Sequence, residues 1–246
     1  MIKVNAIIQA RCGSTRFPNK VFADINGKPL IWHSVNRLYA SKRIDRVIVA
    51  TTVNSKDDMI EQWCEANDVR CYRGSENDVL NRYYEASKAY PSEVVVRITA
   101  DDPFKEPSVI DLVISKLLTG DYDLVTDNYP PSFPEGFDCE AFTFKALEEA
   151  ELSTKDAYER EHVTQFFYHN PDKYRIGNVK NETDLSYLRW TIDKDEDLEM
   201  VRSIYAHRNP DSKGMMYMEE ILEILKEHPE IIKINSEVER SAMYKQ

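Results

Sequence analysis

The sequence is poor in the features that would assign it at a glance. Its 246 residues include four cysteines, Cys12, Cys64, Cys71 and Cys139, with no C-x-x-C pair among them. That spacing offers neither a zinc site nor a thioredoxin-like motif. The longest apolar runs are strand-sized, so no membrane span is expected. Neither G-x-x-x-x-G-K-[ST] nor G-x-G-x-x-G occurs, which removes the P-loop and dinucleotide readings. Positive charge is in deficit as well: 32 Lys and Arg against 43 Asp and Glu leave a net charge of −11. Such a balance argues against nonspecific binding to nucleic acid or to an anionic membrane. Free thiols without a secretion signal predict a cytoplasmic protein, where the sequon Asn181-Glu182-Thr183 is chance.

What is present is a local exception to the acidity. The stretch IIQARCGSTRFPNK, residues 7–20, gathers Arg11, Arg16 and Lys20 around Gly13 and Ser14 just after a strand-like apolar run. A cationic loop in an acidic chain points to a small anionic ligand. Arginine grips phosphate oxygens with paired hydrogen bonds, lysine acts as a movable point charge, and glycine lets backbone N–H groups approach. A solvated basic turn is the competing explanation.

The first half of the chain alternates strand-like and helix-like segments. Strands are predicted at VNAIIQA, RVIVATT, VRCYRG, EVVVRITA and YDLVTDN. Helices are predicted at PLIWHSVNRLYA, SKDDMIEQWCEAN, ENDVLNRYYEASKAY and PSVIDLVISKLLTG. That alternation predicts an α/β fold with a mostly parallel central sheet and helices on both faces. Residues 128–144, rich in Pro and aromatics, read as a loop leading to an edge or protruding strand. Helices are then expected at KALEEAEL and AYEREHVTQFFYHN, a strand pair at YRIGNVKN and LRWTID, and two helices and a charged tail at the end. No linker or repeat divides the chain, so 1–246 reads as one domain.

In open α/β sheets ligands collect outside the carboxyl ends of strands. Asp101 and Asp102 directly follow EVVVRI, and Asp193 ends RWTID. Carboxylates there suit a Mg²⁺ that bridges phosphate oxygens, or they simply favour the start of the next helix. Together with the cationic loop they compose a nucleotide–metal site.

These same residues resemble the cytidylyltransferases that make CMP-KDO and CMP-sialic acid, and most of all their spore coat polysaccharide biosynthesis-type relatives. The opening pattern I-I-x-A-R-x-G-S-x-R-L-P-x-K is met by Ile7 to Lys20, with Phe17 for Leu. YRGSENDVLNRYYEA (72–86), Arg97 to Pro103, Pro134 to Glu140, Glu161 to Thr164 and Arg189 to Leu198 match further family segments, although Lys194-Asp195 replaces the usual Thr-Pro. The resemblance implies a GT-A-like nucleotidyltransferase fold with a small protruding dimerisation segment at about residues 128–145, usually in a homodimer. It implies that Arg11, Arg16 and Lys20 hold and activate the triphosphate, with Ala10, Gly13 and Ser14 beside it. Arg73, Ser75, Asp78 and Arg82 would face the nucleoside, and Arg97, Thr99 and Asp101 would line the same cleft. Asp101 and Asp193 would hold Mg²⁺, with Asp102 as the competitor for the first position.

The acceptor would be an ulosonic acid or a related acidic group, bound by Asn128, Asp138, Glu140, His162 and Arg189, with Arg160 nearby, and the product would serve cell-surface polysaccharide or glycan synthesis. CTP is the implied donor. Three alternatives share the architecture: a GT-A glycosyltransferase consuming a sugar nucleotide, a transferase using another base, and one acting on a phosphate or phosphonate. A regulatory module that binds nucleotide without chemistry is disfavoured by the retention of Lys20, Asp101 and Asp193.

Overall fold

Val4–Gln9 is a run of side chains largely buried on both faces, the pattern of a strand covered on both sides. In the computed structural model, which describes residues 2–14 and 16–241, it is the central strand β1. It is followed by β2 (Asp24–Ile25), β3 (Lys28–Pro29), α1 (Leu30–Tyr39), β4 (Arg46–Thr52), α2 (Asp58–Ala66), β5 (Arg70–Gly74) and α3 (Val79–Ala89). Then come β6 (Val94–Thr99), α4 (Pro107–Leu117), β7 (Leu124–Thr126), β8 (Glu140–Thr143), α5 (Phe144–Ser153), α6 (Ala157–His162), α7 (Gln165–Tyr168), β9 (Ile176–Asn178), α8 (Asp195–Ala206) and α9 (Met218–Glu227). The charged tail expected at the end lies largely outside the described residues.

The sheet order is β5-β4-β1-β6-β8-β7-β9. Strands β5, β4, β1 and β6 run parallel, and β8 is antiparallel to both β6 and β7. Alternation along β1 sorts the core into two layers. Val4, Ala6 and Ile8 face α1, α2 and α4 through Ile31, Val35, Ile60 and Val113. Ile7 faces α3, α5 and α7 through Leu80, Tyr83, Leu147 and Phe167. The expected α/β architecture with helices on both faces is therefore the one observed.

A third cluster forms beside the sheet, where Trp190, Phe104, Phe133 and Phe137 pack with α8 and α9. It corrects two expectations. Residues 128–144 do not protrude: Phe133, Phe137, Cys139 and Phe142 are buried, and β8 sits between two sheet strands. Pro and aromatic residues there serve packing within the chain, so the apolar character that suggested a subunit contact is satisfied internally. The strand pair of YRIGNVKN and LRWTID is also absent. β9 pairs with β7, while Arg189 makes only an isolated bridge to Glu135. The alternation of Leu188, Trp190 and Ile192 reflects burial in the third cluster rather than a ladder. Likewise AYEREHVTQFFYHN divides into α6 and α7 at Val163, a fully buried residue at φ 55°.

Gly136 fixes how this cluster meets the sheet. Its φ is +110°, and a Cβ would lie 2.8 Å from the Thr191 nitrogen and 2.9 Å from the Trp190 carbonyl carbon. Only glycine permits that approach. It holds the segment leading to Asp193 against the turn after Pro134.

Candidate active site

The carboxyl ends of β1 and β6 open into a cleft of about 340 Å³. It lies at the switch point of the sheet, where the connection from β1 leads to β4 on one side and that from β6 leads to β7 on the other, the place where open α/β sheets bind ligands. The loop after β1 forms one wall. Its course is set from below: the Cys12 N–H donates to Asp57 Oδ1 at 2.7 Å, and Asp57 also accepts from the Thr52 hydroxyl. Burial and the neighbouring Asp57 carboxylate push the Cys12 thiol up to about 12, so it is no thiolate nucleophile. The loop then tightens through Asn19, at φ 58°, into a short 3-10 turn beginning at Lys20.

Lys20 is the centre of the site. Its Nζ donates to Asp101 Oδ2, to Asp193 Oδ1 and to the Ile192 carbonyl, each at 2.9 Å. Burial disfavours the ammonium, but the two carboxylates outweigh it and raise its pKa. Burial likewise works against the Asp101 carboxylate, yet Lys20 holds it well below the usual range. The two acids, 92 positions apart by their numbers, are kept in register by the backbone bond from the Ile192 N–H to the Asp101 carbonyl, 3.0 Å. Arg16 adds a second cation 3.1 Å from Asp193 Oδ1 and remains largely exposed.

Asp193 is itself held from behind. Arg189 reaches Asp193 Oδ2 at 3.2 Å while binding Asp197 Oδ1 at 2.9 Å and Glu135 Oε1 at 2.8 Å. Asp197 Oδ2 accepts from the N–H groups of Asp193 and Lys194 at the entrance to α8. Arg189 is buried in this network, so it orients Asp193 and does not line the cleft. That corrects its expected place among acceptor-binding residues.

Asp102 points the other way. It is 2% exposed, accepts from the Thr99 hydroxyl at 2.7 Å and pairs with the buried Lys105 at 2.8 Å. Burial pushes its carboxyl up to about 7 despite Lys105, with Asp101 adding to the rise. Of the two adjacent acids Asp101 alone lines the cleft. Two oxygen-donor carboxylates already bracketing one cation fit a Mg²⁺ in chemistry and placement.

Among the residues singled out in the sequence, Ala10, Arg11, Ser14, Arg16, Lys20, Arg82, Thr99, Asp101, His162 and Asp193 line the cleft. Gly13 lies in the same loop, where a Cβ would meet nothing nearer than Glu76 Oε1 at 3.5 Å. Other expected residues lie elsewhere. Arg73 turns to the outer edge of the sheet, bound by Asp58 at 2.7 Å and Glu61 at 2.8 Å, because α2 presents those acids to β5. Asp78 caps α3, accepting from the Asn81 N–H at 3.0 Å, and pairs with Arg160. Ser75 binds the Asp78 N–H at 3.1 Å and offers its carbonyl to Arg82 at 2.6 Å. Ser75 and Asp78 thus build the platform that carries Arg82.

Behind the cleft, Arg97 pairs with Glu140 at 2.5 Å, and Glu140 accepts from the Tyr168 hydroxyl at 2.8 Å. The Arg97 Nε is buried with no hydrogen-bond partner. Asn128 donates to Asp138 Oδ1 at 3.1 Å, and the Asp138 carbonyl accepts from Lys105. Asn128 and Asp138 therefore belong to a buried polar network adjoining the site rather than to its wall. His162, lowered in pKa by burial, stays neutral at neutral pH. Sequence reasoning gave Glu161 no role, although it lines the cleft beside His162. Membership of the same short motif was the available signal. Lys105 and Asp57 were missed altogether, since nothing local marks them.

A family profile described as cytidylyltransferase matches residues 5–237. An uncharacterized protein of Methanocaldococcus jannaschii is 35% identical over 243 residues, covering 98% of each chain. The spore coat polysaccharide biosynthesis protein SpsF of Bacillus subtilis is 31% identical over 236 residues, covering 91% of this chain and 94% of that one. Among solved structures, a cytidylyltransferase of Leptospira borgpetersenii superposes with a TM-score of 0.88 at 34% identity, covering 94% of this chain and 97% of its own.

Proposed function

The chain belongs to the cytidylyltransferase family, and from that premise we propose that it transfers CMP from CTP to a small acidic acceptor and releases pyrophosphate. One observation carries the reading: Lys20 Nζ lies 2.9 Å from both Asp101 and Asp193 at the mouth of a cleft that also holds Arg11, Arg16 and Arg82. A site that only bound a neutral sugar would not need this arrangement.

In the reaction an oxygen of the acceptor attacks the α-phosphorus of CTP. A new P–O bond forms, the bond to the bridging oxygen of the β-phosphate breaks, and pyrophosphate leaves with the electron pair. The protein contributes position and charge. Lys20, Arg11 and Arg16 draw the triphosphate along the loop, and the room above Gly13 admits phosphate close to the backbone. A Mg²⁺ bound by Asp101 and Asp193 would neutralise phosphate oxygens and lower the pKa of the acceptor hydroxyl. Lys20, which bridges the two carboxylates in the structure, would meet the charge developing on pyrophosphate. Neutral His162, in the cleft lining, provides a polar contact on the acceptor side.

An ulosonic acid is the acceptor we favour, and polysaccharide or glycan assembly in the cytoplasm is the setting. The name of the Bacillus relative supports that setting, and the cations Arg11, Arg16 and Arg82 lining the cleft suit an acidic group. Among the described residues no helix is long and apolar enough to cross a membrane. The homodimer implied by the family resemblance is proposed on that ground alone, and light scattering at micromolar concentration tests it.

The decisive experiment measures pyrophosphate release from each of the four nucleoside triphosphates against a panel of acidic sugars, phosphates and phosphonates. CTP with an ulosonic acid should give the fastest release. Equal or faster release with another triphosphate, or turnover only with a phosphate or phosphonate, would overturn the corresponding half of the proposal.

A further inference from the structure

We propose that His207, His228 and Glu230 form a second metal site, separate from the cleft, that takes a divalent transition-metal ion of the zinc class. His207 directly follows α8 and His228 directly follows α9, so the carboxyl ends of two helices converge there. The two imidazole centroids are 4.1 Å apart. Each of the three residues offers a ligand atom, and these atoms all lie within 4.8 Å of one another. Tetrahedral ligation at ~2.0–2.1 Å needs donor atoms about 3.4 Å apart. Rotation of the exposed Glu230 side chain, which leaves the His207 ring in place, narrows that difference.

The surroundings favour such an ion on three counts. His207 Nδ1 lies 2.8 Å from the Ser203 carbonyl, which can only accept a hydrogen bond. Nδ1 is therefore the protonated nitrogen, and the Nε2 lone pair is left for a metal, the arrangement usual in ligating histidines. Glu230 is separated from His228 by Pro229, whose ring fixes the turn between them. Among the described residues the ion pair of Glu230 is with His228 alone, at 3.3 Å, a long contact that ligation would replace. The negative ends of both helix dipoles also point at this spot and favour a cation.

The donor set decides the class of ion. Two imidazoles and a carboxylate suit zinc, nickel or copper, whereas magnesium prefers all-oxygen sites. One chain would thus hold two cations sorted by hardness. α8 has 12 residues. At 1.5 Å per residue they span about 18 Å, so the new site lies at the far end of the helix whose entrance grips Asp193. Bound metal would join the end of α8 to the end of α9 and brace that layer, without touching substrate.

Zinc binding can be followed by calorimetry and by thermal unfolding, in excess Mg²⁺ so that the carboxylate pair in the cleft is occupied. Wild-type protein should bind one zinc per chain and gain roughly 5 °C or more at a hundredfold excess over the dissociation constant. His207→Ala and His228→Ala should each weaken binding about tenfold or more and abolish that gain, Glu230→Gln should weaken it less, and Asp193→Asn should bind zinc as wild type does. Absence of a zinc-dependent gain in the wild type would overturn the proposal. So would retention of full affinity in both histidine variants, because cysteine thiols or the cleft would then be the ligands.

Discussion

Replacing Lys20 by methionine tests the centre of the site, because most of the side chain's length is kept and its charge removed. The ammonium now makes three contacts of 2.9 Å and is 12% exposed. If it meets charge developing on pyrophosphate, turnover should fall by ~10²–10³, the equivalent of about 3–4 kcal/mol. Folding should suffer as well, since Asp101 and Asp193 would face each other without a cation. Exposure of the two carboxylates to 25% and 17% moderates that cost. About 1–3 kcal/mol is expected, or a fall of roughly 3–10 °C in Tm. Magnesium separates the two effects. With Lys20 gone its ammonium no longer competes for the carboxylates, so Mg²⁺ should raise the Tm of Lys20→Met more than that of wild type while leaving kcat low. Thermal scans with and without Mg²⁺, beside pyrophosphate release at saturating CTP, provide the assay. A variant with near-normal turnover, or one whose stability responds to Mg²⁺ less than wild type, would refute the reasoning.

The remaining tests bear on separate links. Asp193→Asn should lose Mg²⁺-dependent activity and weaken Mn²⁺ binding measured by electron paramagnetic resonance, with an unchanged far-UV spectrum; normal activity at low Mg²⁺ would remove Asp193 from the metal site. CTP should be preferred to UTP by about 10- to 100-fold in kcat/KM, since a pocket built for the cytosine amino donor leaves an acceptor unpaired with uracil at a cost of ~1–3 kcal/mol. Asp127 is 1% exposed with Oδ2 unpartnered, and burial together with Asp138 pushes its carboxyl from 3.8 up to about 7. Between those values the folded chain holds a proton that the unfolded chain releases, so stability falls as pH rises through that window and the penalty is complete above it. Asp127→Asn removes the penalty and should raise Tm more at pH 8 than at pH 5; an equal shift at both would mean that Asp127 is not the titrating group.

How much of this was legible in the sequence follows from which interactions are local. The alternation of strands and helices from β1 to β7 could be read directly, because buried parallel strands need unbroken apolar runs and amphipathic helices need helical spacing. The cationic loop was equally plain, since Arg11, Gly13, Ser14, Arg16 and Lys20 lie within ten positions of one another. The acids at strand ends were visible as residues, and sheet topology makes such ends the site of ligand binding. What the sequence left open was direction. Asp101 and Asp102 are adjacent and chemically alike, yet one faces the cleft and the other pairs with Lys105, because successive residues leave the strand end on opposite sides. Arg189 sits in a motif that points to substrate contact, but Glu135 and Asp197 surround it in the folded chain. The aromatic segment before β8 read as exposed because its partners, Trp190 and the residues of α8 and α9, lie more than fifty positions later. Local pattern determined the elements and the chemistry of the loop. Contacts distant in sequence decided which carboxylates face the cleft, and burial, which no local window measures, decided the rest.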